Sequence, residues 1–282
     1  MTAPFLASLH CYPVKSLGGF AMREARLTDR GLQHDRRWML VDATGRFLTQ
    51  RELPSMACLH TAPAGEGFAV TDLRNGERLM LPWTLDEGPD PWVQIWDARV
   101  RAREAPSSWS VWFSDRLGSA VRLVHMPDDA QRRVDERYAQ GLTSLSDGFP
   151  YMILSQASVD ALNERGTAWA HEHTGTWAPV PMERFRPNLV IGGGTAHQED
   201  RWREVRIGEV RFTLVKPCAR CIIITTDQRT GERGKEPLRT LASYRTVDSK
   251  VHFGMNAVAD VEGNVRLGDG ITVLAEASTI VP

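Results

Sequence analysis

Short β-branched or alternating runs separated by turn residues fill both ends of the chain, and that spacing predicts many strands and few helices. Leu6 to Tyr12, Ala21 to Leu27, Trp38 to Asp42 and Phe68 to Asp72 are the strand-like runs of the first third. Asp42-Ala43-Thr44-Gly45 reads as a hairpin turn between Trp38-Met39-Leu40-Val41 and Arg46-Phe47-Leu48, because Asp opens a turn and Gly accepts a positive φ. After a Pro- and Trp-rich stretch and an extended Val93 to Trp96 piece, Ser107-Ser108 is placed to cap a helix through Leu117. Trp109, Trp112, Phe113 and Leu117 recur along it at a helical period, as a packing face does.

The second half opens with the apolar Tyr151-Met152-Ile153-Leu154, then Ser155 as the cap of a helix that Gly166 would stop near Arg165. Strand-like runs follow at Asn188 to Ile191, Val205 to Ile207, Val210 to Val215, Ile222 to Thr226, Val251 to Ala259 and Ile271 to Leu274. Glu236-Pro237-Leu238 starts a brief helix with Leu238, Leu241 and Tyr244 on one face. The class expected is mainly β with some helices (α+β), closing in barrel-like fashion. Pro127-Asp128-Asp129, followed by the charged Arg132 to Arg137, interrupts the pattern, so two domains are expected, over 1–125 and 126–282.

Composition narrows the function. Thirty-four Lys and Arg against 35 Asp and Glu give no broad basic surface for a nucleic-acid backbone. Four cysteines in 282 residues do not make a disulfide framework. The start Met1-Thr2-Ala3-Pro4-Phe5-Leu6 is not a secretory signal, and no apolar run nears the roughly 20 residues that cross a bilayer. A soluble protein of a reducing, cytoplasmic compartment, with no membrane partner, is expected.

Lys216-Pro217-Cys218-Ala219-Arg220-Cys221 carries the chemistry. A thioredoxin-like pair belongs at a helix N-terminus, and Ile222-Ile223-Ile224-Thr225-Thr226 is a poor helix opening. A structural zinc site lacks its second thiol pair, since Cys11 and Cys58 stand alone. Two readings stay open: two inert cysteines in a strand, or one thiolate binding a soft metal whose other donors come from a cofactor. Gly192-Gly193-Gly194 lacks the context of a phosphate loop, and His171 with His173 lacks a third ligand at metal spacing.

Five motifs occur in order: Tyr12-Pro13-Val14-Lys15-Ser16, Asp35-Arg36-Arg37-Trp38-Met39, Arg184-Phe185-Arg186-Pro187-Asn188, Lys216-Pro217-Cys218 and Gly268-Asp269-Gly270. With them the chain resembles, over nearly its whole length, MOSC-domain proteins that carry an N-terminal MOSC β-barrel domain. These include the mitochondrial amidoxime-reducing component and its bacterial counterparts. The resemblance implies a molybdenum cofactor (a molybdopterin) held by Cys218 as metal ligand and a Cys221 that is not a ligand, which on its own reads as a buried strand residue. It implies cofactor contacts from Lys15, Ser16, Arg36, Arg186 and Asn188, for which a point charge, a hydroxyl, two forked guanidiniums and an amide are suitable chemistry. It places the acid of Asp147 near the metal, as proton donor or as support for other site groups.

The activity implied is molybdenum-dependent reduction of N-hydroxylated compounds such as amidoximes, hydroxylamines and N-hydroxylated base analogues. Electrons would come from a separate iron–sulfur, flavin or haem protein, because no C-x4-C-x2-C spacing occurs in the sequence. The rival is a carrier of cofactor or sulfur on Cys218; a thiol redox protein using Cys218 and Cys221 is a third reading. Ala219 and Phe149 depart from the family pattern, which has Ser or Thr and a small polar residue there.

Overall fold

Inward-facing residues of alternating strands converge on one core, where Leu6, Leu9, Ile153, Phe212, Leu214 and Ala257 are almost wholly shielded from water. The computed structural model describes residues 2–173 and 175–277. These strands belong to a nine-stranded sheet among the described residues. Its order along the main path is Phe20–Met22, Phe5–Cys11, Leu189–Gly192, Tyr151–Ser155, Lys250–Ala259, Val210–Arg220, Trp202–Ile207 and Ile271–Glu276. The Phe5–Cys11 strand near one end of this path meets the segment leading into the last strand: Phe5 bridges to Gly270, the Leu6 amide donates to Asp269 and the Leu6 carbonyl accepts from Gly268. That contact gives the barrel-like closure the strand pattern predicts.

Smaller three-stranded sheets and a hairpin come mostly from the N-terminal half, with Gly263–Arg266 joining one of them. Trp38–Val41 pairs with Arg122–His125 and has a core on each face, Trp38 and Leu40 on one, Met39 and Val41 on the other. Burial on both faces is why this strand reads as a continuous apolar run rather than an alternation. Helix α1 (Ser107–Leu117) lays Phe113 and Leu117 into the first of those cores, with Trp109 and Trp112 at its margin. Helices α2 (Gln156–Glu172) and α3 (Leu238–Arg245) cover the outer face of the barrel through Val159, Leu162 and Leu241.

Several expectations are corrected. Ile222–Thr225 is a 3-10 turn rather than a strand; the strand is Val210–Arg220, so Cys218 lies inside it and Cys221 just past its end. Cys221 is half-buried and is not a buried strand residue. Gly166 does not stop α2, which continues to Glu172. A Cβ on Gly166 would lie 2.3 Å from ring carbons of Trp177, so this glycine admits a neighbouring ring rather than ending a helix. Ser107 begins α1 rather than capping it, and Pro106 holds the cap position. The turn at Asp42–Gly45 forms, with Asp42 Oδ1 accepting the Thr44 amide and Gly45 at φ 84°. Its second arm makes only one bridge, because the Phe47 amide donates to Gln94.

Candidate functional site

Strand geometry places Cys218 and Arg220 two residues apart on one strand, so both side chains emerge on the same face. They open into one cleft. Every site residue predicted from sequence lines it: Lys15, Ser16, Arg36, Asp147, Arg186, Asn188 and Cys218. Arg51, Arg184, Arg220 and Cys221 join them, together with Phe149 and Ala219. Six cationic side chains and one carboxylate line it; Arg36 and Arg184 are also paired outside the lining, with Asp35 and Asp227, which still leaves an excess of positive charge in a half-enclosed space.

That carboxylate is already engaged. Asp147 accepts from Lys15 Nζ at 2.5 Å and from Arg51 Nη2 at 2.9 Å. Desolvation within the cleft pushes its pKa up, although half of the side chain is exposed, but Lys15 and Arg51 outweigh this and hold it below the usual carboxylate range. Lys15, 4% exposed, is pushed down to about 8 by burial, against the pull of Asp147. Buried Arg132 fixes the loop beneath, donating to the carbonyls of Ser144, Ser146 and Asp147.

Arg36 and Arg186 lie against the ring of Tyr12, at 4.3 Å and 4.4 Å from its centre. Arg36 pairs with buried Asp35 at 2.6 Å and also donates to the Arg186 carbonyl. Arg186 donates to the Leu17 carbonyl at 2.5 Å; burial and then Arg36 push it down to about 10. Ser16, Arg36 and Arg186 have φ of 67°, 49° and 57°, in the left-handed region where a non-glycine residue costs roughly 1–2 kcal/mol. Strain of this kind persists where the surroundings over-determine it, and it concentrates at functional sites. Asn188 ties strands together: its amide donates to the His10 carbonyl at 3.2 Å and its Oδ1 accepts the Met152 amide at 3.3 Å.

At the cysteine, Arg220 Nη1 approaches Cys218 Sγ to 2.9 Å while Nη2 reaches the Phe185 carbonyl. Burial works against the charge of Arg51, but Asp147 and then the Cys221 thiol outweigh it and raise its pKa. Three Cα-to-Cα steps of extended chain lead from Cys218 to Cys221, roughly 10 Å at about 3.3 Å each. A disulfide needs Cα atoms within about 7 Å, which tells against the thiol redox reading. His171 and His173 lie at the exposed end of α2, and no group of three metal-ligating side chains occurs among the described residues. Gly192 ends the Leu189–Gly192 strand, Gly193 and Gly194 form the loop after it, and none of the three lines the cleft.

Arg51 and Arg220 escaped sequence reasoning. Nothing marks Arg51 locally, because only the fold brings it to Asp147. Arg220 had a signal: at position i+2 from the cysteine, a strand puts it on the same face.

A β-rich two-part chain whose N-terminal motifs and C-terminal cysteine meet in one cationic cleft is the architecture of a MOSC protein. Residues 140–272 match the MOSC domain and residues 3–120 the MOSC N-terminal beta barrel domain. The chain belongs to the MOSC-domain family, in the group that joins these two domains and includes the amidoxime-reducing components. It is 32% identical over 287 residues to mitochondrial amidoxime reducing component 2 of Rattus norvegicus, covering 92% of this chain and 80% of that one. It is 29% identical over 290 residues to mitochondrial amidoxime-reducing component 1 of Homo sapiens, covering 96% and 83%. Molybdenum cofactor sulfurase of Oryza sativa subsp. japonica is 32% identical over 264 residues, but the chain spans only 32% of its length.

Proposed function

We propose that the cleft holds a pterin molybdenum cofactor through Cys218 and that the protein reduces N-hydroxylated compounds. The observation that carries this is a half-buried thiol set among six cationic side chains, with one carboxylate already neutralised by two of them. The donor set fits the group. A single thiol suits a soft metal that receives its other sulfurs from a dithiolene. Buried Arg184 Nε and Arg220 Nε have no hydrogen-bond partner among the described residues, and an acceptor-rich pterin would offer partners for such groups. No helix among the described residues is long and apolar enough to cross a membrane.

When bound, the cofactor supplies a two-electron redox centre. Lys15, Ser16 and Arg36 would hold its anionic end, Arg186 and the spare hydrogen-bonding capacity of Asn188 would serve the pterin, and Cys218, with Arg220 aimed at its sulfur, would be the metal ligand. Reduction of an N–OH group breaks the N–O bond, consumes two electrons and two protons, and releases water. Asp147, held ionised, is not the source of those protons; we assign it the positioning of Lys15 and Arg51, and the protons to solvent at the mouth of the cleft. The electrons come from a separate donor protein of iron–sulfur, flavin or haem type.

The test is turnover. Molybdenum-loaded protein with an artificial one-electron reductant is expected to convert a simple amidoxime to the amidine, and Cys218→Ala to abolish this. Loaded protein that does not turn over would shift the reading to a carrier of cofactor or sulfur.

A further inference from the structure

Trp96 is a large aromatic left 45% exposed beside a charged cleft. It occupies the first position of the two-residue turn between the Trp92–Ile95 and Ala98–Arg101 strands, with φ at 52°. Such turns select Asn or Gly for their positive φ, and a bulky residue there is a genuine outlier. The turn is rigid: Gln94 donates to the Trp96 carbonyl at 3.0 Å, and backbone bonds tie Gln94 to Gly45 and Phe47. The ring is held too, 4.9 Å from Phe47 and 4.9 Å from the guanidinium of Arg51, which lines the cleft and binds Asp147. Elsewhere in the lining Phe149 gives a second aromatic surface, with its edge toward exposed Tyr138 and Lys216 Nζ 5.6 Å from its ring.

We propose that Trp96, held out in a strained turn over Arg51, is the platform on which the flat ring of an aromatic N-hydroxylated substrate stacks at the mouth of the cleft. A surface tryptophan with no such duty could adopt an ordinary turn; this one, beside Phe47 and Arg51, keeps nearly half of its surface exposed at a backbone cost. Every organic ring has a π-face, so the platform selects planar ring-bearing substrates over small aliphatic ones without reading their edge groups. The assignment rests on the reductase reading above.

Its test compares benzamidoxime with acetamidoxime, reduced by molybdenum-loaded protein with an artificial donor. Trp96→Ala is expected to lower the ratio of kcat/KM for benzamidoxime over acetamidoxime roughly tenfold, chiefly through KM, with Trp96→Phe restoring most of it. An unchanged ratio at molybdenum content equal to the parent's would overturn the proposal. Should the parent reduce neither compound, the reductase reading fails, and the platform is judged by calorimetric titration with benzamidoxime. Binding weakened in Trp96→Ala supports it; equal binding by parent and variant rejects it.

Discussion

Lys15 concentrates the electrostatics of the site in one atom. Its folded pKa of about 8 lies below the 10.5 of an ordinary lysine, so folding disfavours the bound proton. The cost to stability is full below pH 8, lifts as pH rises from 8 toward 10.5, and is gone above that. Anion binding runs the other way, since a phosphate favours the charged form. Affinity of the cofactor-free protein for pyrophosphate is therefore expected to fall as pH passes 8, and Lys15→Arg to flatten that fall; calorimetry at several pH values measures it. For Asp147→Asn, a positioning role predicts reduced molybdenum content with turnover per bound metal within about threefold of the parent. A general acid would instead leave metal content intact and cost roughly a hundredfold or more in turnover.

At the scale of elements, Gly166 gives a sharp test, because propensity and packing disagree there. In an exposed helix interior alanine is favoured over glycine by about 1 kcal/mol. In α2 an added Cβ would meet the ring of Trp177 at 2.3 Å, and overpacking of this kind costs about 1–3 kcal/mol. Gly166→Ala is expected to lower the midpoint of thermal unfolding; a rise would show that the ring moves aside freely. The same residue shows why part of the fold was illegible: a glycine that ends a helix and one that admits a ring look alike in sequence. Ile222–Thr225 misled for a related reason, since β-branched residues report burial on a pleated surface and not the chain reversal that follows Cys221. What could be read was local: Trp38–Val41, the Asp42–Gly45 turn and the packing face of α1 each carry their signal within a few residues. Four of the five short motifs supply residues to the cleft, whereas Gly268-Asp269-Gly270 meets Phe5 and Leu6 at the barrel closure and Arg51 depends on contacts that no local pattern encodes.

Over the whole molecule the two halves of the sequence are interlocked. The Phe5–Cys11 strand lies between Phe20–Met22 and Leu189–Gly192, and Glu24–Thr28 pairs with Gly263–Arg266, so the first 28 residues complete sheets built by the last hundred. Arg233 reaches across to the carbonyls of Gln50 and Arg51, whose loop supports Ser16 through Gln50. Residues 126–282 expressed alone are expected to lack a cooperative thermal transition, because Leu6 and Leu9 would be missing from the core and one strand edge left open. A well-dispersed NMR spectrum from that fragment would contradict the interlocking. The cleft is a product of this closure, with Lys15, Ser16, Arg36 and Arg51 from the first half and Asp147, Arg186, Arg220 and Cys218 from the second. The most direct test of the central claim is molybdenum analysis of protein expressed with ample molybdate, beside Cys218→Ala and Cys221→Ala. The account predicts about one molybdenum per chain in the parent and in Cys221→Ala and almost none in Cys218→Ala; no metal in the parent, or full metal in Cys218→Ala, would contradict it.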